Sequence, residues 1–265
     1  MKKLIAMMLA VMMVVGMTAC ASSNKAKTAN DGVLTMATNA QFPPYEYYEG
    51  DTITGIDVDI ANAIAEKLGL TLNVEDMEFD SVIESVKGGK ADIGMAGITV
   101  TAEREEAVDF TSSYATATQV IVVAEDNDTI AGTNDDLALV DADGNVLEGT
   151  VIAVQRNTTG DLYATWNMED LGLATVDRYS KHADAIQAVL TGKADCVILD
   201  NEPAKVFVSE TEGLKMLEAE YVEEQYAIAM SKDNKELYDA VNGALEELIK
   251  DGTVQTIVDK YISAE

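Results

Sequence analysis

Residues 81–97 of the chain, SVIESVKGGKADIGMAG, are repeated in outline 103 residues later by residues 184–200, DAIQAVLTGKADCVILD. In each copy, apolar residues at helical spacing lead to a glycine that can end a helix, and a short apolar run typical of a buried strand follows. The pattern occurs twice and not three times, which indicates a pair of units and not a solenoid. The repeat predicts an α/β fold of two similar lobes.

The segments around the repeat continue this alternation of strand and helix. Strands are predicted at residues 33–38 and 151–154, a helix at residues 58–68, and further helices after Thr158 and near the C-terminus. Such alternation favours mostly parallel sheets, in which ligands bind beyond the carboxyl ends of the strands. The predicted strand ends therefore mark a cleft between the lobes: Asn39, Ala96-Gly97, Gln155 and Leu199-Asp200.

Composition excludes some partners. The 265 residues include 47 acidic and 18 basic side chains, for a net charge of −29, while 48% of the residues are hydrophobic. The hydrophobic content is that of a globular protein with a core. Nucleic acid and anionic membrane surfaces are excluded as electrostatic partners, because both are bound through clustered Lys and Arg.

The N-terminus has the pattern of a secretory signal. Two lysines precede an apolar run over residues 4–17, and Thr18-Ala19-Cys20 follows. The run is shorter than the roughly 20 residues of a membrane-spanning helix. Cys20 and the small residues before it resemble the signal ends of bacterial lipoproteins. We therefore expect residues 1–19 to be a signal peptide, Cys20 to be lipidated, and residues 20–30 to be a tether. The mature protein would be extracytoplasmic and anchored to the cell membrane, or periplasmic; the alternative is a plain secreted protein.

Cys196 would then have no disulfide partner. It lies in an apolar run, which favours a buried small side chain over a reactive thiol.

Six motifs, in order along the chain, resemble a known family: ATNAQFPPY (37–45), GIDVD (55–59), AGITVTAER (96–104), VDFT (108–111), the run from Ala194-Asp195 to Asp200, and GTV (252–254). They are similar to those of the polar-amino-acid-binding proteins of bacterial ABC importers, over about residues 33–262. The resemblance implies a type II periplasmic-binding-protein-like fold with two hinge strands, near residues 114–118 and 222–226. Lobe 1 would be residues 31–115 plus 226–265, and lobe 2 residues 116–225, closing by hinge motion.

A free amino acid carries a carboxylate and an ammonium group, and the resemblance assigns residues to the carboxylate first. Arg104, one of three arginines, can bind a carboxylate bidentately. Thr158 and Thr159 would offer backbone N–H groups at a helix start. Asn157 replaces the glycine usual in the family, and asparagine tolerates a positive φ. The alternatives are a surface ion pair for Arg104 and a simple N-cap for the threonines.

The resemblance also assigns residues to the ammonium group and to the side chain of the ligand. Asp200 matches the family's ammonium-binding carboxylate, and Ala96, Gly97 and Thr99 would supply further oxygen acceptors. Phe42 and Phe79 match the aromatic residues that sandwich the ligand side chain, and the alternative for each is a core position.

Asn39 bears on specificity, because family members that bind cationic side chains often have Asp at this place. An uncharged Asn39 favours a polar uncharged amino acid such as glutamine, or cystine. A cationic ligand is the alternative, if Glu46 or Asp80 supplies the missing charge.

The expected function is the substrate-binding component of an amino-acid ABC transporter, which delivers its ligand to a membrane permease. We expect a monomer without cofactor or metal, since one histidine and one free cysteine do not make a usual zinc site. We expect no enzyme activity, because His182 is predicted on a helix away from the strand ends. The alternatives are a ligand-binding sensor module and a dehydratase-like enzyme on the same fold.

Overall fold

A computed structural model describes residues 27–262 of the chain. The predicted signal peptide and Cys20 lie outside the described residues. Fifteen strands are described: β1 (Val33–Thr38), β2 (Gln41–Phe42), β3 (Glu46–Glu49), β4 (Thr52–Thr54), β5 (Thr71–Asp76), β6 (Ile93–Gly94), β7 (Asp109–Phe110), β8 (Ala115–Ala124), β9 (Gly132–Thr133), β10 (Leu139–Val140), β11 (Thr150–Gln155), β12 (Ala174–Tyr179), β13 (Cys196–Asp200), β14 (Leu214–Tyr226) and β15 (Ala229–Met230).

The described α-helices are α1 (Ile56–Leu68), α2 (Phe79–Lys87), α3 (Ala102–Ala107), α4 (Thr159–Ala164), α5 (His182–Leu190), α6 (Asn201–Glu210), α7 (Lys235–Lys250) and α8 (Thr253–Tyr261), and a π-helical segment, Thr165–Glu169, follows α4. Among these residues, no helix is both long and apolar enough to span a bilayer.

The first lobe is built on a five-stranded sheet with the order β5-β1-β6-β15-β7. Successive residues of a strand point to opposite faces, so this sheet has two apolar faces to cover. Met36 of β1 packs in the cluster that contains Ile60 of α1 and Val241 of α7. Ala37, the next residue, packs with Val82 of α2 on the other face. Helices therefore cover both faces of the sheet.

The second lobe repeats this arrangement on a sheet with the order β12-β11-β13-β8-β14. Ile152 of β11 packs with Met168 of the π-helical segment on one face, and Ala153 packs with Ile186 of α5 on the other. Cys196 is buried and free, and burial raises the pKa of its thiol. The two α/β lobes predicted from the repeat are confirmed.

The sheets are less parallel than the alternation of strands and helices predicts. In the first lobe, β1 pairs in parallel with β5 and β6, whereas β15 pairs antiparallel with β6 and β7. In the second lobe, β11 pairs in parallel with β12 and β13, whereas β8 pairs antiparallel with β13 and β14. The antiparallel pairs involve the strands on either side of the two connections between the sheets. Parallel neighbours need a long crossover connection, usually a helix, and these two short connections contain no helix.

Strands β8 and β14 make the two connections. They pair over most of their length, with Tyr226 opposite Ala115. Tyr114 N donates to the carbonyl oxygen of Tyr226 (2.9 Å), and Thr99 of the first lobe forms a bridge with Tyr226. The two chain segments between the lobes therefore run side by side.

The repeated aspartate has the same role in both lobes. Asp92 accepts a hydrogen bond from Thr35 N at the start of β1 (2.8 Å), and Asp195 accepts one from Val151 N at the start of β11 (2.7 Å). Asp92 also accepts from Ala29 N (2.7 Å), which attaches the end of the predicted tether to the first lobe. The GKAD turn thus aligns β1 in the first sheet and β11 in the second and, with them, the strand ends at the cleft.

Candidate functional site

The two lobes form a cavity at the carboxyl ends of strands β1, β6, β11 and β13. Its lining includes all ten residues singled out from the sequence: Asn39, Phe42, Phe79, Ala96, Gly97, Thr99, Arg104, Thr158, Thr159 and Asp200. Three further residues complete it: Glu46, Gln155 and His182. Residues more than 150 positions apart in the chain therefore share one enclosed space.

Arg104 lies in α3 and is 8% exposed. Its Nη1 donates to the carbonyl oxygen of Thr99 (2.8 Å) and its Nη2 to that of Asn157 in the other lobe (2.9 Å). Burial lowers its pKa, against the raising influence of Glu224 and Asp200. Among the described residues, no carboxylate lies within ion-pair distance of this guanidinium. A buried cation without a paired anion is costly, so the geometry favours an anionic group of a ligand here.

The loop before α4 lies beside Arg104. Asn157 has a φ of 61°, the left-handed conformation expected where an asparagine replaces glycine, and its N–H donates to Asp161 (2.9 Å). Thr158 is the N-cap of α4, and its side chain accepts a bond from Asp161 N (3.4 Å). Asn157 therefore adopts a backbone conformation that glycine would also adopt here, and the start of α4 faces the cavity.

Asp200 ends β13 on the second-lobe side of the cavity. It is buried and accepts a hydrogen bond from Tyr226 Oη (2.5 Å). Burial, and then the charge of Glu224, raise its pKa to about 7. A cationic group of a ligand would favour the ionised form. Asp200 therefore provides an acidic group whose charge a ligand ammonium can stabilise.

The strand end in the first lobe supplies backbone groups. Gly97 has a φ of 55°, and its N–H donates to Asp57 Oδ2 (3.0 Å). An added Cβ at Gly97 would lie 2.6 Å from Cε1 of Phe42. A glycine is required here both by the left-handed backbone and by the close approach of the aromatic ring.

Glu46 adds a second acidic side chain to the lining. It is 0% exposed and lies beside the buried carboxyl group of Asp57, and no Lys or Arg of the described residues pairs with it. Burial and the neighbouring Asp57 raise its pKa well above the usual range. Asp80, the other acid considered from the sequence, instead pairs with Arg156 (3.2 Å) and does not line this cavity.

The amide of Asn39 is already engaged. Its Nδ2 donates to the carbonyl oxygen of Met77 (2.8 Å), and its Oδ1 accepts from Gln155 Nε2 of the other lobe (3.0 Å). Gln155 was identified from the sequence as a strand end but not as a site residue. The two amides together link the lobes across the cavity.

The prediction that His182 lies away from the strand ends is wrong. It is the first residue of α5, and its ring stacks on that of Phe42 at a centroid distance of 5.3 Å. Because α5 begins just after β12, its N-terminus lies at the carboxyl edge of the sheet, where the cavity is. Burial lowers the pKa of His182 to about 4, so the imidazole is neutral at pH 7, and its Nε2 has no partner.

A cavity between two α/β lobes, with a buried guanidinium and buried carboxylates in its wall, defines a binding site for a small molecule with charges of both signs. The chain belongs to the bacterial extracellular solute-binding proteins, family 3, whose sequence model matches residues 34–264. It is 31% identical over 268 residues to the arginine-binding extracellular protein ArtP of Bacillus subtilis (strain 168), with 100% of each chain covered.

Solved structures show the same relationship. An ancestral arginine-binding protein bound to arginine superimposes with a TM-score of 0.79 at 35% identity, covering 88% of this chain and 99% of that one. An ancestral arginine-binding protein bound to glutamine gives 0.78 at 34% identity, covering 89% and 100%. The protein is thus an amino-acid-binding component of an ABC transporter.

Proposed function

We propose that the protein captures a free basic amino acid, with arginine as the first candidate, and delivers it to the permease. Glu46 is the observation that carries this specificity. Arg104 suits the ligand carboxylate and Asp200 its ammonium group, which leaves Glu46 as a further buried carboxyl group of the lining, beside Asp57 and with no cation paired to it among the described residues. A cationic side chain supplies both the donors and the charge that such a group lacks, whereas a neutral amide supplies donors alone.

Asn39 is compatible with this proposal as well as with an uncharged ligand. Its Nδ2 and Oδ1 each have one partner in the protein. One Nδ2 proton and one Oδ1 lone pair therefore remain for a ligand of either kind. The relatives named for arginine support arginine as the first candidate.

The remaining site residues have proposed roles as follows. The start of α4 at Thr158 and Thr159 adds N–H donors for the carboxylate, and the Ala96–Thr99 segment adds oxygen acceptors for the ammonium. Phe42 and Phe79 pack on the aliphatic part of the side chain, and Arg104 lies over the Phe79 ring at 5.4 Å. Lobe 1, as residues 31–115 plus 226–265, and lobe 2, as residues 116–225, would close around the ligand.

We further propose that the protein binds its ligand without converting it and that it acts as a monomer. A lipid on Cys20 would tether it to the membrane after removal of residues 1–19. His182 supports binding over catalysis, because a general acid or base works best with a pKa near the working pH. A dehydratase-like enzyme or a sensor remains the competing class.

A ligand screen tests the proposal. Thermal shifts of residues 20–265 with each free amino acid rank the ligands, since a ligand raises stability in proportion to RT ln(1 + [L]/Kd). We expect arginine to give the largest shift, with 1:1 binding in calorimetry and no change in the ligand after incubation. Binding of no amino acid, or conversion of one, would refute the assigned function.

Glu46→Gln tests the specificity, with Glu49→Gln as the matched control, because Glu49 lies on the same strand and is exposed. We expect Glu46→Gln to lower the affinity for arginine and to leave that for glutamine nearly unchanged, while Glu49→Gln changes neither. Tighter binding of glutamine or cystine by the wild type, with no effect of Glu46→Gln on the arginine-to-glutamine ratio, would favour the uncharged ligand.

A further inference from the structure

Glu224 is a buried glutamate of β14 that lies outside the cavity lining. It is 4% exposed. Its Oε2 accepts three hydrogen bonds, from Thr99 Oγ1 (2.9 Å), Thr159 Oγ1 (2.9 Å) and Gln119 Nε2 (3.1 Å). Its Oε1 is buried without a partner. A single carboxyl oxygen is thus the common acceptor of three side chains.

The three donors come from different parts of the molecule. Thr99 follows β6 in the first lobe, Thr159 begins α4 in the second, and Gln119 belongs to β8, one of the two strands between the lobes. Both threonines line the cavity, but Glu224 and Gln119 do not. Glu224 would therefore act on a ligand through the threonines of both walls.

The hydrogen bonds also determine what the threonine hydroxyls can offer. A hydroxyl has one proton, and each threonine donates that proton to Glu224, so only lone pairs remain for other contacts. Thr99 Oγ1 is consequently an acceptor toward the cavity, which suits an ammonium group. Because Thr99 belongs to the first lobe and Thr159 to the second, the two bonds to Oε2 join the walls of the cavity through one oxygen atom.

We infer that Glu224 is a positioning residue that couples lobe closure to recognition of the ligand ammonium group. It holds the two walls through Thr99 and Thr159, and it orients the Thr99 hydroxyl as an acceptor. The inference rests on the proposed function, since the ammonium group belongs to the amino acid assigned to this cavity. Hydrogen bonds to a carboxylate are stronger than those between neutral groups, so the charge of Glu224 matters as well as its shape.

Glu224→Gln tests this inference, because glutamine retains the shape of the side chain and removes its charge. Glu223→Gln is the matched control, since Glu223 is the neighbouring residue of β14 and is exposed. With arginine as the probe, we expect Glu224→Gln to raise Kd about 10- to 100-fold, the range for hydrogen bonds to charged groups. Stopped-flow measurements should show the change in the dissociation rate, because loss of a contact made on closure shortens the lifetime of the closed complex.

A double-mutant cycle separates positioning from packing. In the wild type, Thr99→Val should weaken arginine binding, whereas in Glu224→Gln it should add little, since the hydroxyl is no longer oriented. Additive effects, or a Glu224→Gln variant that lowers only the melting temperature and leaves the dissociation rate unchanged, would overturn the inference.

If Glu224→Gln fails to fold, a double-mutant cycle of Thr99→Val and Thr159→Val in the wild-type background replaces it. Non-additive losses of arginine affinity support a common acceptor, and additive losses refute it. Wild-type protein that binds no amino acid would refute the proposed function itself, whereas normal wild-type binding with an unaffected Glu224→Gln variant refutes only the role of Glu224.

Discussion

The two copies of the repeat end differently at the cavity. In the first lobe, β6 is only two residues long, and the chain turns away at Gly97, whose N–H is held by Asp57. In the second lobe, β13 continues for five residues and ends in the side chain of Asp200. The same helix–turn–strand frame therefore delivers backbone groups from one lobe and a carboxylate from the other.

The two strand ends show how a repeated scaffold makes an asymmetric site. The frame brings a strand end to the cleft, and the residues after the GKAD turn decide what chemistry that end provides. Arg104 belongs to the first lobe and Asp200 to the second, so under the proposed roles different lobes bind the two charges of an amino acid. We therefore expect recognition of both charges to require closure.

Arg104→Ala should weaken ligand binding more than the other variants, because it removes the guanidinium that the first lobe provides. Removing one partner of a buried charge interaction costs about 3–5 kcal/mol, so we expect arginine affinity in calorimetry to fall roughly 150- to 4,000-fold. Arg156→Ala is the control, because Arg156 is an exposed arginine of the neighbouring loop that pairs with Asp80 (3.2 Å). Its loss should cost less than about 1 kcal/mol. Equal effects of the two variants would contradict the assignment of Arg104.

Asp200→Asn should weaken ligand binding by about 1.5–3 kcal/mol, because it removes the carboxylate that the second lobe provides for a charged hydrogen bond. The pKa of Asp200 is raised to about 7, so the free site holds a proton below that pH, and binding an ammonium group releases it. Affinity should therefore fall as pH decreases below about 7, by up to about tenfold per pH unit for one proton.

The pH profile of Asp200→Asn is the check on this mechanism. The variant should lose the part of the pH dependence that comes from Asp200, and any remaining dependence for a basic ligand would come from Glu46, whose pKa is also raised. A wild-type Kd that stays constant between pH 5 and 8 would show that no proton is released at Asp200.

Local signals explain what the sequence could predict. The apolar run at residues 33–38 coincides with β1, and the predicted helix start at Thr158 coincides with the N-cap of α4, because strand periodicity and capping depend on neighbours in the chain. The site residues after the strand ends could be found for the same reason, with the family motifs to choose among them.

Long-range contacts explain what the sequence could not predict. Glu224 lies 125 positions from Thr99, and nothing in its local sequence separates it from the other 46 acidic residues. Glu46 could be named only as an alternative, because its isolation from cations depends on the packing around it. One signal could have placed His182 in the cavity. It begins a helix shortly after a strand, and the N-terminus of such a helix lies at the carboxyl edge of the sheet.

Gly97→Ala tests the turn that distinguishes the first lobe's copy, with Gly89→Ala as its control. Both glycines have positive φ angles, 55° and 68°, but an added Cβ meets Phe42 at 2.6 Å in the first and no atom within 4 Å in the second. Gly89→Ala should show only the backbone cost of about 1–2 kcal/mol. Gly97→Ala should exceed it by about 1–3 kcal/mol in urea unfolding, and should also weaken ligand binding, because Phe42 must move. Equal unfolding costs and unchanged affinity would refute the close-packing role of Gly97.

Asp92→Ala and Asp195→Ala compare the repeated aspartate itself. Asp92 is 6% exposed and accepts from two backbone N–H groups, whereas Asp195 accepts from one and lies where water can replace it. Because a buried donor left without an acceptor costs more than an exposed one, Asp92→Ala should destabilise the protein by about 1 kcal/mol more than Asp195→Ala. Hydrogen exchange locates the effect: exchange should accelerate at Thr35 and Ala29 in the first variant and at Val151 in the second. Equal costs in both lobes would mean that the contact to Ala29 contributes nothing, and that the aspartate acts only by aligning β1 in the first lobe and β11 in the second.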